Sequence, residues 1–158
     1  MREYVGNLDG RGLRVGIALS RFHAAIGQRL LEGATTSLRG CGLDDDAIVV
    51  VHVPGAWELP QALRWLVERQ PELDALIALG TIIRGETPHF DLLAQQLTSA
   101  LDRLAEQSGR PLTFGVLTCD DQQQALERAG GSAGNKGSEA AVAAVELAVL
   151  RRALSAGS

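Results

Sequence analysis

The chain has 158 residues, 46% of them hydrophobic and 22% charged, and 15 Lys and Arg against 19 Asp and Glu leave a net charge of -4. That length fits one domain spanning residues 1–158, with enough apolar content for a core that needs no disulfides. The mild, interspersed acidity excludes a basic face for nucleic acid or anionic lipid, and no uncharged run approaches the roughly 18 residues of a membrane span.

Met1-Arg2-Glu3-Tyr4 lacks the apolar core of a signal peptide, which points to a cytoplasmic protein. Cys41 and Cys119 are the only cysteines. With no CxxC and no histidine at metal-ligand spacing, the expectation is two reduced, ordinary thiols and no metal site.

In chain order, Tyr4 to Leu8 is a candidate short strand whose sheet the sequence does not specify. Leu13 to Leu19 is the first strongly apolar run, followed by Ile26, Leu30, Ala34 and Leu38 at helical spacing. Ala47 to Val53 is the second run, followed by the stripe Leu59, Leu63, Leu66 and Val67. Ala75 to Leu79 precedes Leu93, Leu97, Leu101 and Leu104, and Leu112 to Leu117 is the fourth run. Each run is continuously apolar, as strands buried on both faces are. Strand alternating with amphipathic helix predicts an α/β fold, a flavodoxin-like three-layer α-β-α sandwich with a central, mainly parallel sheet. The last predicted helix, Lys136 to Leu154, carries an alanine-rich stripe that suits close packing on its own sheet or on a second subunit.

Ligands of open parallel sheets bind beyond the carboxyl ends of the strands. The segments following the runs are Ser20-Arg21-Phe22-His23, Val53-Pro54-Gly55-Ala56-Trp57-Glu58, Gly80 through Asp91, and Thr118-Cys119-Asp120-Asp121. Of six aromatics in the chain, Phe22, Trp57 and Phe90 fall in these segments, which suits stacking on a flat ligand. Gly80 and Gly85 have P-loop spacing, but Glu86 stands near the place of the required lysine, so a nucleoside triphosphate is not expected. The amides of Gly85 to Thr87, before a helix beginning near Pro88, still suit one phosphate. Gly130 to Gly137, with Arg128 and Lys136, suits a phosphate monoester or is a solvated pair of cations. Among the histidines, His52 reads as a structural strand residue and His23 as a helix-terminal or surface residue. His89 fits either proton transfer or loop packing.

Taken together, Ser-Arg-Phe, Val-Pro-Gly-Ala-Trp-Glu-Leu-Pro, Ala-Leu-Gly-Thr-Ile-Ile-Arg-Gly-Glu-Thr-Pro-His-Phe-Asp, Phe-Gly-Val-Leu-Thr and Glu-Arg-Ala-Gly before Gly-Asn-Lys-Gly-Ser-Glu-Ala-Ala resemble the lumazine synthases from about Gly6 to Leu154. The resemblance implies condensation of 5-amino-6-(D-ribitylamino)uracil with 3,4-dihydroxy-2-butanone 4-phosphate, the penultimate step of riboflavin biosynthesis, without metal or organic cofactor. It implies that Phe22 stacks on the pyrimidine, that Ala56 and Trp57 line it, and that Glu58 accepts from the ribityl hydroxyls. Thr81, Ile82 and Ile83 would read the uracil through their backbone, and Phe114 would complete the site from a neighbouring subunit. Glu86, Thr87 and Arg128 would hold the phosphate, with Lys136 close by and His89 shuttling protons. The partners implied are copies of the same chain, in a homopentamer that can stack into a sixty-subunit capsid, and riboflavin synthase.

This sequence departs from the family pattern at His23, where Asn is usual, and at Trp57, where Phe is common. It also departs at Glu86, Cys119 and Ser132, where a small residue, Thr and Lys respectively are frequent. The rival readings are a non-catalytic flavin- or phosphate-binding module, a shell protein, and an enzyme that dismutates lumazine.

Overall fold

The computed structural model describes residues 1–157. Four parallel strands, β1 (Val15–Ser20), β2 (Ile48–Val53), β3 (Ala75–Ile83) and β4 (Leu112–Cys119), form one sheet in the order β2-β1-β3-β4. The connections run through α1 (Ala24–Gly40), α2 (Leu59–Arg69) and α3 (His89–Ser108). After β4 come the short α4 (Gln122–Glu127), a hairpin of β5 (Ala129–Gly131) and β6 (Gly134–Asn135), and α5 (Lys136–Ala156). The predicted flavodoxin-like three-layer architecture is the one observed.

The two-residue period of a strand divides the core cleanly. Val15, Ile17, Leu19, Ala75, Ile77, Leu79, Leu117 and Cys119 pack with α1 and α5 on one face. Ala18, Leu76, Ala78, Ile82 and Val116 pack with α2 and α3 on the other. No helix among the described residues is long and apolar enough to cross a membrane.

Three sequence expectations need correction. β2 is not buried on both faces: Ile48 to Val51 are half-buried and His52 is exposed, because β2 is an edge strand. A continuous apolar run marks strands of a helix-covered sheet but does not separate edge from centre. Tyr4 to Leu8 is not a strand in this chain; it is an arm with Tyr4, Val5 and Leu8 exposed. The arm passes along α5, where a methyl group on Gly6 would meet the Glu146 carbonyl. Finally, β3 and β4 run on to Ile83 and Cys119, so Thr81, Ile82 and Ile83 are strand residues rather than loop.

The alanine stripe of α5 packs within its own chain. Ala140, Ala141, Ala144, Val145 and Ala148 are buried, and Thr113 of β4 donates its hydroxyl to the Ala140 carbonyl at 2.8 Å. Close approach of α5 to α1 requires Gly137, where a Cβ would collide with the Leu30 carbonyl oxygen. Alanine in a helix ordinarily gains up to about 1 kcal/mol over glycine. Here overpacking against an immovable carbonyl costs more, of order 1–3 kcal/mol or above. Gly137→Ala is therefore expected to lower the thermal midpoint by several degrees. Gly40→Ala, with open space around it, should leave the midpoint unchanged or raise it. An unchanged midpoint for Gly137→Ala would show that the helices can move apart without loss.

Candidate active site

The sheet order reverses between β1 and β3, so the chain leaves β1 toward α1 on one face and β3 toward α3 on the other. This divergence opens a crevice at their carboxyl ends. A cavity of about 350 Å³ fills it, walled by Phe22, Gly55, Ala56, Trp57, Thr81, Ile82, Ile83, Gly85, Thr87, His89, Phe90 and Leu93. Phe22 follows β1 and is 64% exposed; its N–H donates to the buried Ser20 hydroxyl at 3.3 Å, and its ring meets His23 edge-on at 4.6 Å. His23 holds the left-handed conformation, φ 57°, that turns the chain into α1. Asn and His tolerate this region better than most residues, which accounts for His23 in a position where the sequence pattern leads one to expect Asn.

β3 pairs with β1 only as far as Leu79, then continues beside β4 alone. Main-chain groups of Thr81 to Ile83 on the β1 side therefore have no strand partner and border the cavity. Thr81 adds a second unmet polar group: among the described residues its buried Oγ1 has no hydrogen-bond partner. An unpaired buried hydroxyl costs of order 1–3 kcal/mol, which a polar ligand edge would recover.

The turn Gly85 to Pro88 leads into α3, whose first residue is His89. His89 is exposed at the cavity wall, and its N–H donates to Thr87 Oγ1 at 3.4 Å. The first amides of this 20-residue helix lack intrahelical acceptors, so the turn is suited to an anion. Glu86 is exposed and is not part of the wall. Glu58 ends a short 3-10 turn from Ala56; it is half-buried, with its carboxylate beside Gly55, since a Cβ there would lie 3.2 Å from Oε2.

Phe114, Arg128 and Lys136 line a different concavity, also about 350 Å³, together with Val116, Leu117, Thr118, Cys119, Ala133 and Glu139. It shares no residue with the first. The β5-β6 hairpin brings its cations together: Gly130 and Gly134 supply positive φ at the turn, and the Lys136 N–H donates to the Arg128 carbonyl at 2.8 Å. Asn135 caps α5, accepting from the Ser138 N–H at 3.1 Å and donating to the Arg29 carbonyl. The exposed Arg128 guanidinium rests against the Gln124 carbonyl at 3.1 Å and Glu127 at 3.6 Å, loose contacts that an incoming anion could replace.

The family profile of 6,7-dimethyl-8-ribityllumazine synthase matches residues 12–152. The chain is 46% identical to the enzyme of that name from Aquifex aeolicus, over 98% of this chain and 99% of that one. It is 49% identical to the one from Anaeromyxobacter sp. strain Fw109-5, over 97% and 94%, and 45% identical to that of strain K, over 98% and 94%. The chain belongs to the 6,7-dimethyl-8-ribityllumazine synthase family. This is a family of transferases of riboflavin biosynthesis.

Measured against the residues that the lumazine synthase resemblance singled out, one chain brings together Phe22, Ala56, Trp57, Thr81, Ile82, Ile83, Thr87 and His89, with Glu58 adjoining. It sets Phe114, Arg128 and Lys136 apart. Sequence reasoning missed Leu93, Glu139 and the hairpin; only the glycines at 130 and 134 signalled a turn there. Cys119 lines the second concavity, but burial pushes its thiol above the ordinary value against a smaller opposing pull from Arg128, and burial also raises Cys41. Neither has the lowered pKa of an activated nucleophile.

Proposed function

We propose that the protein condenses 5-amino-6-(D-ribitylamino)uracil with 3,4-dihydroxy-2-butanone 4-phosphate to give 6,7-dimethyl-8-ribityllumazine, phosphate and water. Phe22 stacks on the pyrimidine while Ala56 and Trp57 wall it. The unpartnered β3 backbone at Thr81 to Ile83 meets the uracil edge, and Glu58 accepts from the ribityl hydroxyls. The phosphate sits on the turn amides of Glu86 and Thr87 and on Arg128, with Lys136 beside it, and Phe114 closes the ring pocket. The aromatic amine attacks the ketone and water leaves as the imine forms. Phosphate is then eliminated, and the ribitylamino nitrogen closes the ring with loss of a second water. His89 moves the protons.

The observation that supports this reading is that the candidate residues line two concavities of one chain with no residue in common. A reaction that needs the stacking ring, His89 and Arg128 around one substrate pair must join the first concavity of one chain to the second of its neighbour. Such a heterologous contact closes into a ring, here a homopentamer, and rings can pack further into a sixty-subunit shell. The exposed Phe22 and Trp57, the open apolar edge of β2 and the exposed N-terminal arm supply surface for that assembly. The reading includes a cytoplasmic location and, in the fuller assembly, association with riboflavin synthase.

Incubating the purified protein with both substrates should produce fluorescent lumazine at a rate proportional to protein concentration. Riboflavin formed from added lumazine would instead favour dismutation, and no turnover would leave a binding module. Light scattering should find a pentamer or a multiple of it; a fully active monomer would overturn the shared site.

A further inference from the structure

The turn that carries Thr87 and leads to His89 has little of its own to hold it. Gly85 through His89 are all exposed, open space surrounds Gly85, and the weak Thr87 contact to the His89 N–H lies within the turn. Arg84, the residue before it, is anchored on several sides. Its N–H donates to the Cys119 carbonyl at 2.9 Å, extending the β3-β4 ladder. Its Nε donates to Asp120 Oδ1 at 2.9 Å, and Nη1 lies 3.5 Å from Asp91 Oδ2. Its guanidinium carbon lies 4.5 Å from the centre of the Phe90 ring. Phe90 and Asp91 immediately follow His89 in the first turn of α3. Asp120 is itself fixed, because its N–H donates to Gln124 Oε1 at 2.8 Å while Asp121 caps α4.

We propose that Arg84 is a positioning residue for the reaction, holding the 85–89 turn in register by gripping Phe90 and Asp91 on one side and Asp120 on the other. The proposal rests on the function above. Arg84 touches no substrate; it sets where His89 and the phosphate-facing amides stand. A planar guanidinium can lie on a ring and donate sideways to two carboxylates at once, and an ammonium cannot. It also offsets the charge of Asp91 and Asp120, which would otherwise stand uncompensated close to the turn that receives a phosphate. The same grip ties the turn to the strand end leading through α4 to Arg128, so a single side chain registers the β3 turn against the segment bearing the second concavity.

The ion pair is half exposed, with side chains 48% and 64% accessible, and pairs of that kind add little to global stability. A merely structural Arg84 would therefore show small, uniform effects, whereas a positioning Arg84 gives selective ones. The test uses the assembled full-length protein carrying Arg84→Met, which keeps apolar packing on Phe90, and Arg84→Lys, which keeps the charge. Small displacements of reacting groups cost up to about a hundredfold, so Arg84→Met should lower kcat/KM for the keto-phosphate by roughly ten- to a hundredfold. The KM for the aminouracil should stay within about twofold of wild type, since its proposed contacts lie outside the 85–89 turn and the main-chain pairing of β3 with β4 does not depend on the Arg84 side chain. Arg84→Lys should recover only part of the loss. Amide exchange in peptides spanning residues 85–92 should quicken in Arg84→Met while the sheet is unaffected. Asp120→Asn should show a smaller defect of the same kind, and combining it with Arg84→Met should add little.

Wild-type kinetics and exchange in Arg84→Met would overturn the proposal. So would full recovery by Lys, or equal weakening of both substrates together with a lowered thermal midpoint. If the wild-type protein forms no lumazine, the proposed reaction fails, and the exchange measurement still decides whether Arg84 holds the turn.

Discussion

Arg128→Ala and His89→Ala chains, each impaired alone, are expected to regain activity when co-expressed. Arg128→Ala removes a charge-assisted hydrogen bond to the phosphate, a contact worth about 1.5–3 kcal/mol, so kcat/KM for the keto-phosphate should fall by roughly ten- to a hundred-and-fifty-fold. Arg128→Lys should also raise the apparent KM for the keto-phosphate and leave that for the aminouracil nearly unchanged, because lysine cannot reproduce the bidentate contact. His89 and Arg128 line separate concavities, so in the proposed assembly the two residues of one chain would serve two different sites. A one-to-one mixture in a ring of heterologous contacts then pairs an intact first half with an intact second half at about a quarter of the sites. Activity near a quarter of wild type, from two variants each well below that level, is the expected result. Activity no higher than the average of the two variants would place both residues in one chain's site and defeat the shared arrangement.

His89→Ala alone should lower kcat by roughly ten- to a hundredfold, at or below the low end of what general acid-base assistance supplies. The modest size follows from the chemistry: condensation of an aromatic amine with an activated ketone proceeds without a catalyst, so holding the partners together accounts for much of the acceleration. Binding of the aminouracil alone should survive, because its proposed contacts come from Phe22, Trp57 and the β3 backbone. The wild-type pH-rate profile should lose a limb in the variant. Unchanged turnover would remove His89 from the mechanism, and lost aminouracil binding with altered assembly would make it structural.

Much of this was legible in the sequence because the fold is written in periodicities. Continuous apolar runs gave β1, β3 and β4, helical spacing of apolar residues gave α1, α2 and α3, and an alanine-rich stripe marked α5, since each element must present a face to one of two cores. The same signal could not tell that β2 lies at an edge, because α1 and α2 flank the sheet whichever strand is outermost. It also missed the last residues of β3, where Gly80 and Thr81 read as the start of a loop. There pairing with β4 overrides local preference: Thr81 stands opposite Leu117 and Ile83 opposite Cys119. The role expected of Phe114 was not visible in composition or spacing and came only through family resemblance, since Phe114 lies inside the fourth apolar run and not, like Phe22, in a segment following one. Arg84 attracted no notice for a similar reason: its partners Asp91 and Asp120 are 7 and 36 residues away, and only the fold makes them neighbours.

The chain has two tryptophans, Trp57 at the mouth of the first cavity and Trp65 on α2, exposed by 66% and 57%. Both indoles face water in the single chain, and of the two only Trp57 lies where a ligand can dry or quench it. Trp65→Phe would leave a single emitter at the cavity mouth. Titrating that variant would count filled sites optically at equilibrium, with one substrate present and no chemistry under way.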